Sequence, residues 1–187
     1  SFAAMYPDWR GDGSKIVFML QDASLITYQI ATIASTGGAI TMLTDLHASC
    51  YTPKYCERDN RIAFSAQYPT MDDNIFVMNE DGGGFRQVTT KQAAEVEPDW
   101  VPNGTMIVYS DRSGADDDLY VVPADGPSEG KQITNFPADE RNPAWSPVGT
   151  KLAFESDRMG NCDIWVLDNV WLKVEPATVG MIKATYK

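Results

Sequence analysis

Histidine is almost missing from this sequence: His47 is the single copy among 187 residues, and only three cysteines, Cys50, Cys56 and Cys162, accompany it. A zinc site needs three or four such ligands close together, and a serine hydrolase needs a histidine base beside its nucleophile, so both classes start with little material. An odd number of cysteines leaves at least one free or bonded to another chain. Cys50 and Cys56 lie in a segment read as extended, which holds them roughly 20 Å apart and out of disulfide reach; all three are expected as small core residues. No apolar run approaches the roughly 20 residues of a membrane-spanning helix. Ser1 opens the chain without a methionine or a signal-peptide pattern, as in a processed chain or a fragment. Cations are also in short supply, with 15 Lys and Arg against 26 Asp and Glu and a net charge of −11. Such a surface repels nucleic acid and anionic bilayers at long range, so the expected partners include neither, while cationic partners and metal ions stay open.

What is present is a repeat. Tyr6-Pro7-Asp8-Trp9, Thr52-Pro53-Lys54-Tyr55, Glu97-Pro98-Asp99-Trp100 and Asn142-Pro143-Ala144-Trp145 stand at offsets of 46, 45 and 45 residues. Four residues after each aromatic comes a turn residue, Gly13, Asp59, Gly104 or Gly149, and then apolar residues at a spacing of two, such as Ile107 and Tyr109. That spacing is a strand signature. A second apolar segment begins at Asn74, Asp118 and Asp163, with Gln29 as a weaker copy, and glycines follow at Gly37, Gly82 and Gly126. Leu43-Thr44, Val88-Thr89 and Ile133-Thr134 close the first three units. Four strands of about six residues and four loops of about five fill one propeller blade, and no segment offers the long 3.6-residue period of a helical repeat. The expected fold is all-β, a β-propeller of four recognisable four-stranded antiparallel blades, near residues 1–45, 46–90, 91–135 and 136–187 of a single domain. In the fourth unit Trp171 replaces the glycine and Pro176-Ala177-Thr178 replaces the closure, so its outer strand is expected to be irregular.

Asn142-Pro143-Ala144-Trp145-Ser146-Pro147 with Ser156-Asp157-Arg158 resembles the repeat of the TolB-like propeller family, and Pro98-Asp99-Trp100-Val101-Pro102 with Ser110-Asp111-Arg112 repeats it. The resemblance implies a ring of six to eight blades in most relatives, a periplasmic or extracellular setting and a binding role. Four units fit a fragment, a four-bladed ring, or a homodimer whose two chains share one ring.

In an antiparallel blade the first and third connections share one rim, and the second connection and the blade-to-blade link share the other. The second rim holds the longer, more variable loops, the usual place for recognition on a rigid scaffold. Its acids include Asp111, Asp116, Asp117, Glu140 and Asp157, while Tyr51, Glu95, Glu97 and Arg141 flank the X-Pro steps of the innermost strands, near a central channel. These residues, with Arg112 and Arg158, are the candidate binding set for a protein partner or peptide segment; a lectin-like or small-ligand scaffold is the alternative. A propeller lyase would need several histidines around a metal, and the gating propeller of a hydrolase would need a separate catalytic domain.

No catalytic constellation emerges. Gly126-Pro127-Ser128-Glu129-Gly130 has the form of a nucleophile elbow, yet it falls in a hairpin connection, far from the strand-to-helix turn that motif requires. Asp116-Asp117-Asp118 is the one run that suits calcium, but its spacing departs from an EF-hand loop and Asp118 belongs to a strand start, so no cofactor is expected. The Ser-Asp-Arg pairs read as loop braces, the aspartate accepting backbone N–H groups and the arginine stem covering an aromatic.

Overall fold

The alternation of apolar residues between turns folds, in a computed structural model that describes residues 2–22, 27–168 and 181–183, as four antiparallel sheets of four strands with no helix among those residues. The first sheet contains β1 (Phe2–Trp9), β2 (Lys15–Asp22), β3 (Gln29–Ala34) and β4 (Thr41–Met42). The second contains β5 (Ser49–Tyr55), β6 (Ile62–Gln67), β7 (Asn74–Met78) and β8 (Arg86–Gln87); the third β9 (Glu95–Trp100), β10 (Met106–Asp111), β11 (Asp118–Pro123) and β12 (Lys131–Gln132). The fourth contains β13 (Glu140–Trp145), β14 (Lys151–Ser156), β15 (Asp163–Asp168) and β16 (Met181–Lys183). Every sheet runs in chain order, an up-and-down meander.

Because side chains alternate across each strand, every inner blade has two buried faces. Tyr55, Ile62 and Phe64 of the second blade pack on Val17 and Ile30 of the first. Trp100, Ile107 and Tyr109 of the third pack on Ala63, Ile75 and Val77 of the second. Leu152 and Phe154 of the fourth meet Val108 and Leu119 of the third. Phe64, Tyr109 and Phe154 are almost wholly buried at the same blade position, each stabilising the stack by roughly 1.5–3 kcal/mol. The innermost strands therefore run side by side in the order β1, β5, β9, β13.

Two local devices explain sequence features of the repeat. The outer strands β4, β8 and β12 have two residues each, too few to satisfy the strand beside them. The closing threonine extends the ladder: the hydroxyls of Thr44, Thr89 and Thr134 accept the N–H of Ile30, Ile75 and Leu119 at 2.8, 2.9 and 2.8 Å. The turn glycine serves the blade contact, since a Cβ on Gly82 would stand 2.7 Å from the Leu43 carbonyl oxygen and one on Gly126 2.5 Å from that of Val88.

Several expectations need correction. The periodic placement of the X-Pro aromatics reads as packing between blades, and Tyr55 and Trp100 do pack there, but Trp9 is 58% exposed. Asp59 does stand in the turn of the second blade, where it accepts from Arg61, and the left-handed residue there is its neighbour Asn60 (φ 60°), while Gly13, Gly104 and Gly149 carry φ 71° in the others. Cys50 and Cys56 are buried, but Cys162 is exposed. The outer strand of the fourth blade is β16, paired with β15 from Trp165↔Lys183 to Leu167↔Met181; Trp171 and Pro176-Ala177-Thr178 lie outside the described residues.

Candidate functional site at the channel mouth

Proline forces the residue before it out of the helical region and normally into extended backbone. Here all four such residues are instead left-handed: Tyr6, Thr52, Glu97 and Asn142 have φ of 54, 47, 57 and 50°. At each, the pairing of the innermost strand with its neighbour slips, between Met5 and Asp8, Tyr51 and Lys54, and Arg141 and Ala144, and opposite Val108 and Ser110 in the third blade. A bulge bends and twists its strand and re-aims its side chains. Those residues and the four prolines line a cavity of about 210 Å³ along the axis. The X-Pro repeat was legible in the sequence; its backbone conformation was not, because local preference points the other way.

The bulges also stitch blade to blade. Asp8 accepts the backbone N–H of Tyr55 at 2.8 Å, and Asp99 that of Trp145 at 2.7 Å. The second blade has Lys54 at this position, and there the Trp100 indole N–H donates to the Lys54 carbonyl at 3.0 Å. Glu97 Oε2 accepts the Asn142 N–H at 2.9 Å and the Ser110 hydroxyl at 3.0 Å.

On the long-loop side the axis opens into a pocket of about 290 Å³ whose walls include Tyr6, Tyr51, Gln67, Asp73, Glu97 and Arg112. A chain of alternating charge runs from it along the rim. Arg112 donates to Glu97 Oε1 at 3.0 Å and pairs with Asp117 at 3.3 Å; Arg141 donates to Asp117 at 2.5 Å and to Asp139 at 2.7 Å. Asp139 also accepts the Asp117 N–H at 2.9 Å, and Asp157 the Asp139 N–H at 3.0 Å. The hydrogen bond to Asp117 holds Arg141 above its ordinary pKa, and burial pushes the Asp73 carboxyl up against the lowering field of Arg112. Exposed ion pairs of this kind add about 0–1 kcal/mol each to stability; their larger effect is to fix where charge is presented.

The structure thus gathers Tyr51, Glu97, Arg112, Asp117 and Arg141, with Asp157 at the end of the chain. Asp73 and Asp139, acids of the same rim loops, join them, and so does Tyr6, which sequence reasoning left out of the binding set and whose place before a proline was its only signal. Asp116 stands on the rim loop. Glu95, Asp111 and Glu140 do not face the channel: they are 0, 1 and 0% exposed, because strand alternation turns Glu95 and Glu140, first in their inner strands, and Asp111, paired opposite Glu95, into the blade. Asp111 binds Lys91 at 2.9 Å, and Glu140 is held by Ser156 and Arg158 at 2.9 and 2.8 Å. Glu95 has no hydrogen-bond partner on either oxygen, and burial pushes its carboxyl up to about 7.

The two Ser-Asp-Arg motifs are not equivalent. Ser110 lies opposite Val96, whereas Ser156 lies opposite Glu140, a slip of one residue that turns corresponding side chains to opposite faces. Arg158 accordingly covers the rings of Phe136 and Trp165, 3.9 and 4.4 Å from their centres, while Arg112 turns to the mouth acids. The Asp116-Asp117-Asp118 run also diverges, Asp117 toward arginines and Asp118 toward Gln132 at 2.9 Å. Among the described residues no three or more His, Cys, Asp or Glu side chains gather to hold a metal ion, and no helix is long and apolar enough to cross a membrane.

Comparison with known proteins places this geometry. No curated protein matches the chain in sequence. Among solved structures, TolB from Acinetobacter baumannii superposes with a TM-score of 0.79 at 17% identity, over 98% of this chain and 44% of that one. An oligogalacturonate lyase in complex with manganese gives 0.69 at 18%, over 91% and 52%, and a chain of a nidogen/laminin complex gives 0.71 at 11%, over 97% and 65%. The chain therefore spans less than half of the TolB structure, and identities this low carry the fold alone. The family model described as the TolB beta propeller domain matches residues 2–128, which contain three of the four bulged X-Pro strands, and the chain belongs to that family.

Proposed function

We propose that this chain is a non-catalytic protein-binding scaffold that receives an exposed segment of a partner protein at the channel mouth. The observation that carries this reading is the fixed row of alternating charge from Glu97 through Arg112, Asp117 and Arg141 to Asp139, beside a pocket walled by Tyr6 and Tyr51. Tyrosine and arginine are the side chains that most often anchor protein interfaces, since both offer large contact area and directed hydrogen bonds. Relatives of the same fold are chemically diverse: one is a lyase crystallised with manganese, another a member of a two-protein complex. The mouth supports the second type, because its acids are committed to arginines and the chain's one histidine, His47, is exposed elsewhere on a blade link. The family likeness supports a periplasmic or extracellular setting.

A photo-crosslinker at Gln67, in the mouth, should capture the partner, and one at Val148, 79% exposed on the opposite rim, should not. Capture only at Val148 sinks the proposal. Arg112→Glu and Tyr51→Ala should each weaken binding about tenfold or more, equivalent to roughly 1.4 kcal/mol. Glycan binding in several equivalents per chain would replace this reading with a lectin-like one.

A further inference from the structure

The mouth repeats as the blades do, so equivalent residues at successive junctions can be compared. At each junction the loop between the second and third strands ends on a residue whose carbonyl accepts the N–H near the start of the next inner strand: Tyr28 from Cys50 at 2.9 Å, Asp73 from Glu95 at 2.8 Å and Asp117 from Glu140 at 2.7 Å. Strand register identifies the two residues that flank this position. Beside Asp117 they are Arg112, which follows Asp111 at the end of β10, and Arg141, which follows Glu140 on β13. Beside Asp73 they are Gln67, which follows Ala66 at the end of β6, and Val96, which follows Glu95 on β9.

What fills the position differs at each junction. Between the first and second blades the Tyr28 ring packs on that of Tyr51, their centres 5.8 Å apart. Between the third and fourth, Asp117 pairs with both arginines, at 3.3 and 2.5 Å. Between the second and third, Asp73 has no such partner. Gln67 is neutral and donates to it at 3.4 Å, Val96 is apolar, and among the described residues no Lys or Arg forms an ion pair with Asp73. Arg112 is nearby but committed to Glu97 and Asp117. Gln67, Asp73 and Val96 instead wall the mouth pocket of about 290 Å³, with Tyr6 and Tyr51 among its other walls. Burial holds the Asp73 carboxyl above its ordinary pKa, as happens when a charge loses water and gains no counter-ion.

We propose that the partner segment carries an arginine whose guanidinium enters this pocket and pairs with Asp73, as the chain's own Arg112 and Arg141 pair with Asp117; this rests on the scaffold role proposed above and adds the chemistry the partner must present. A guanidinium suits the place better than an ammonium does, because its planar fork matches a carboxylate and its face stacks on aromatic rings such as those of Tyr6 and Tyr51. The net charge of −11 favours the approach of such a cation. Arg112 does not block it, since Glu97 and Asp117 already offset its charge.

The probe is the tripeptide acetyl-Gly-Arg-Gly-amide, titrated by NMR at about 150 mM salt, where long-range attraction to the acidic surface is screened. Saturable shifts centred on Tyr51, Gln67 and Asp73 are expected. The same peptide with citrulline, which keeps the shape and loses the charge, should not saturate. Asp73→Asn retains the side-chain shape and the backbone carbonyl and should weaken the arginine peptide about tenfold or more. Gln67→Arg places a guanidinium where Arg112 stands beside Asp117, and should shut the peptide out while lowering the Asp73 pKa. Equal binding of the citrulline peptide, an unchanged affinity in Asp73→Asn, or shifts scattered over the acidic surface without saturation overturns the proposal. Undiminished capture of a partner through a crosslinker at Gln67 in the Asp73→Asn chain also overturns it, yet leaves the scaffold role standing. A peptide that saturates at Asp73 when no partner is captured at the mouth supports the arginine site and counts against the scaffold role.

Discussion

Glu95 is the residue at which burial and charge are most at odds. Its carboxyl is fully enclosed at the start of β9, neither oxygen has a hydrogen-bond partner, and the Tyr109 hydroxyl donates to the Glu129 carbonyl at 3.1 Å. Desolvation is the largest cause of its rise from 4.5 to about 7, Asp111 adds to it, and Thr89, Tyr109 and Lys91 hold it down. A raised carboxyl means that the folded chain keeps a proton the unfolded chain has released. The stability linked to this group is therefore full below about 4.5 and lost as the pH climbs through about 7, on the order of 3 kcal/mol in all. Urea denaturation across that window should show native stability falling, and Glu95→Gln should flatten the fall. An unchanged slope in the variant would mean that Glu95 reaches solvent.

Among the elements, the outer strands are the least self-sufficient. β8 has two residues, and Thr89 continues its work by accepting the buried N–H of Ile75 through its side chain. Thr89→Val keeps the shape but strands that donor, which should cost about 1–3 kcal/mol, while Thr89→Ser should restore most of it. Equilibrium unfolding of the two variants checks this, and equal losses would show that the methyl group is what matters. The innermost strands depend instead on their bulges. Asp8 is positioned by one to reach the Tyr55 N–H, so Asp8→Ala should cost about 1.5–3 kcal/mol as a charged acceptor is removed from a junction between blades. A loss within the error of the unfolding curve would mean that apolar packing alone holds the first blade to the second.

For the whole molecule, stability is a sum over blades and the junctions between them, as in other stacked repeats. The second and third blades are covered on both faces, whereas the first and fourth each have one covered face within the chain. In this chain, amide exchange should therefore be slower in β6, β7, β10 and β11 than in β2 and β3. Uniform protection would show that the chain unfolds as one unit, without graded openings.

The sequence by itself determined the architecture, because strand alternation, turn chemistry and a 45-residue period are local patterns repeated often enough to reinforce one another: the meander order, the blade count and the inward aromatics at Tyr55 and Trp100 all followed from it. It also carried the family likeness, and the rim that holds Arg112, Asp117 and Arg141. Only the tertiary structure decided which way each residue faces where the period of two is broken. The bulges at Tyr6, Thr52, Glu97 and Asn142 run against the local preference of a residue before proline, and the one-residue slip between Ser110 and Ser156 separates two motifs that look identical in letters. Burial of Glu95 and Glu140, and exposure of Trp9, depend on which blade lies alongside, a long-range fact that no window of neighbouring residues contains.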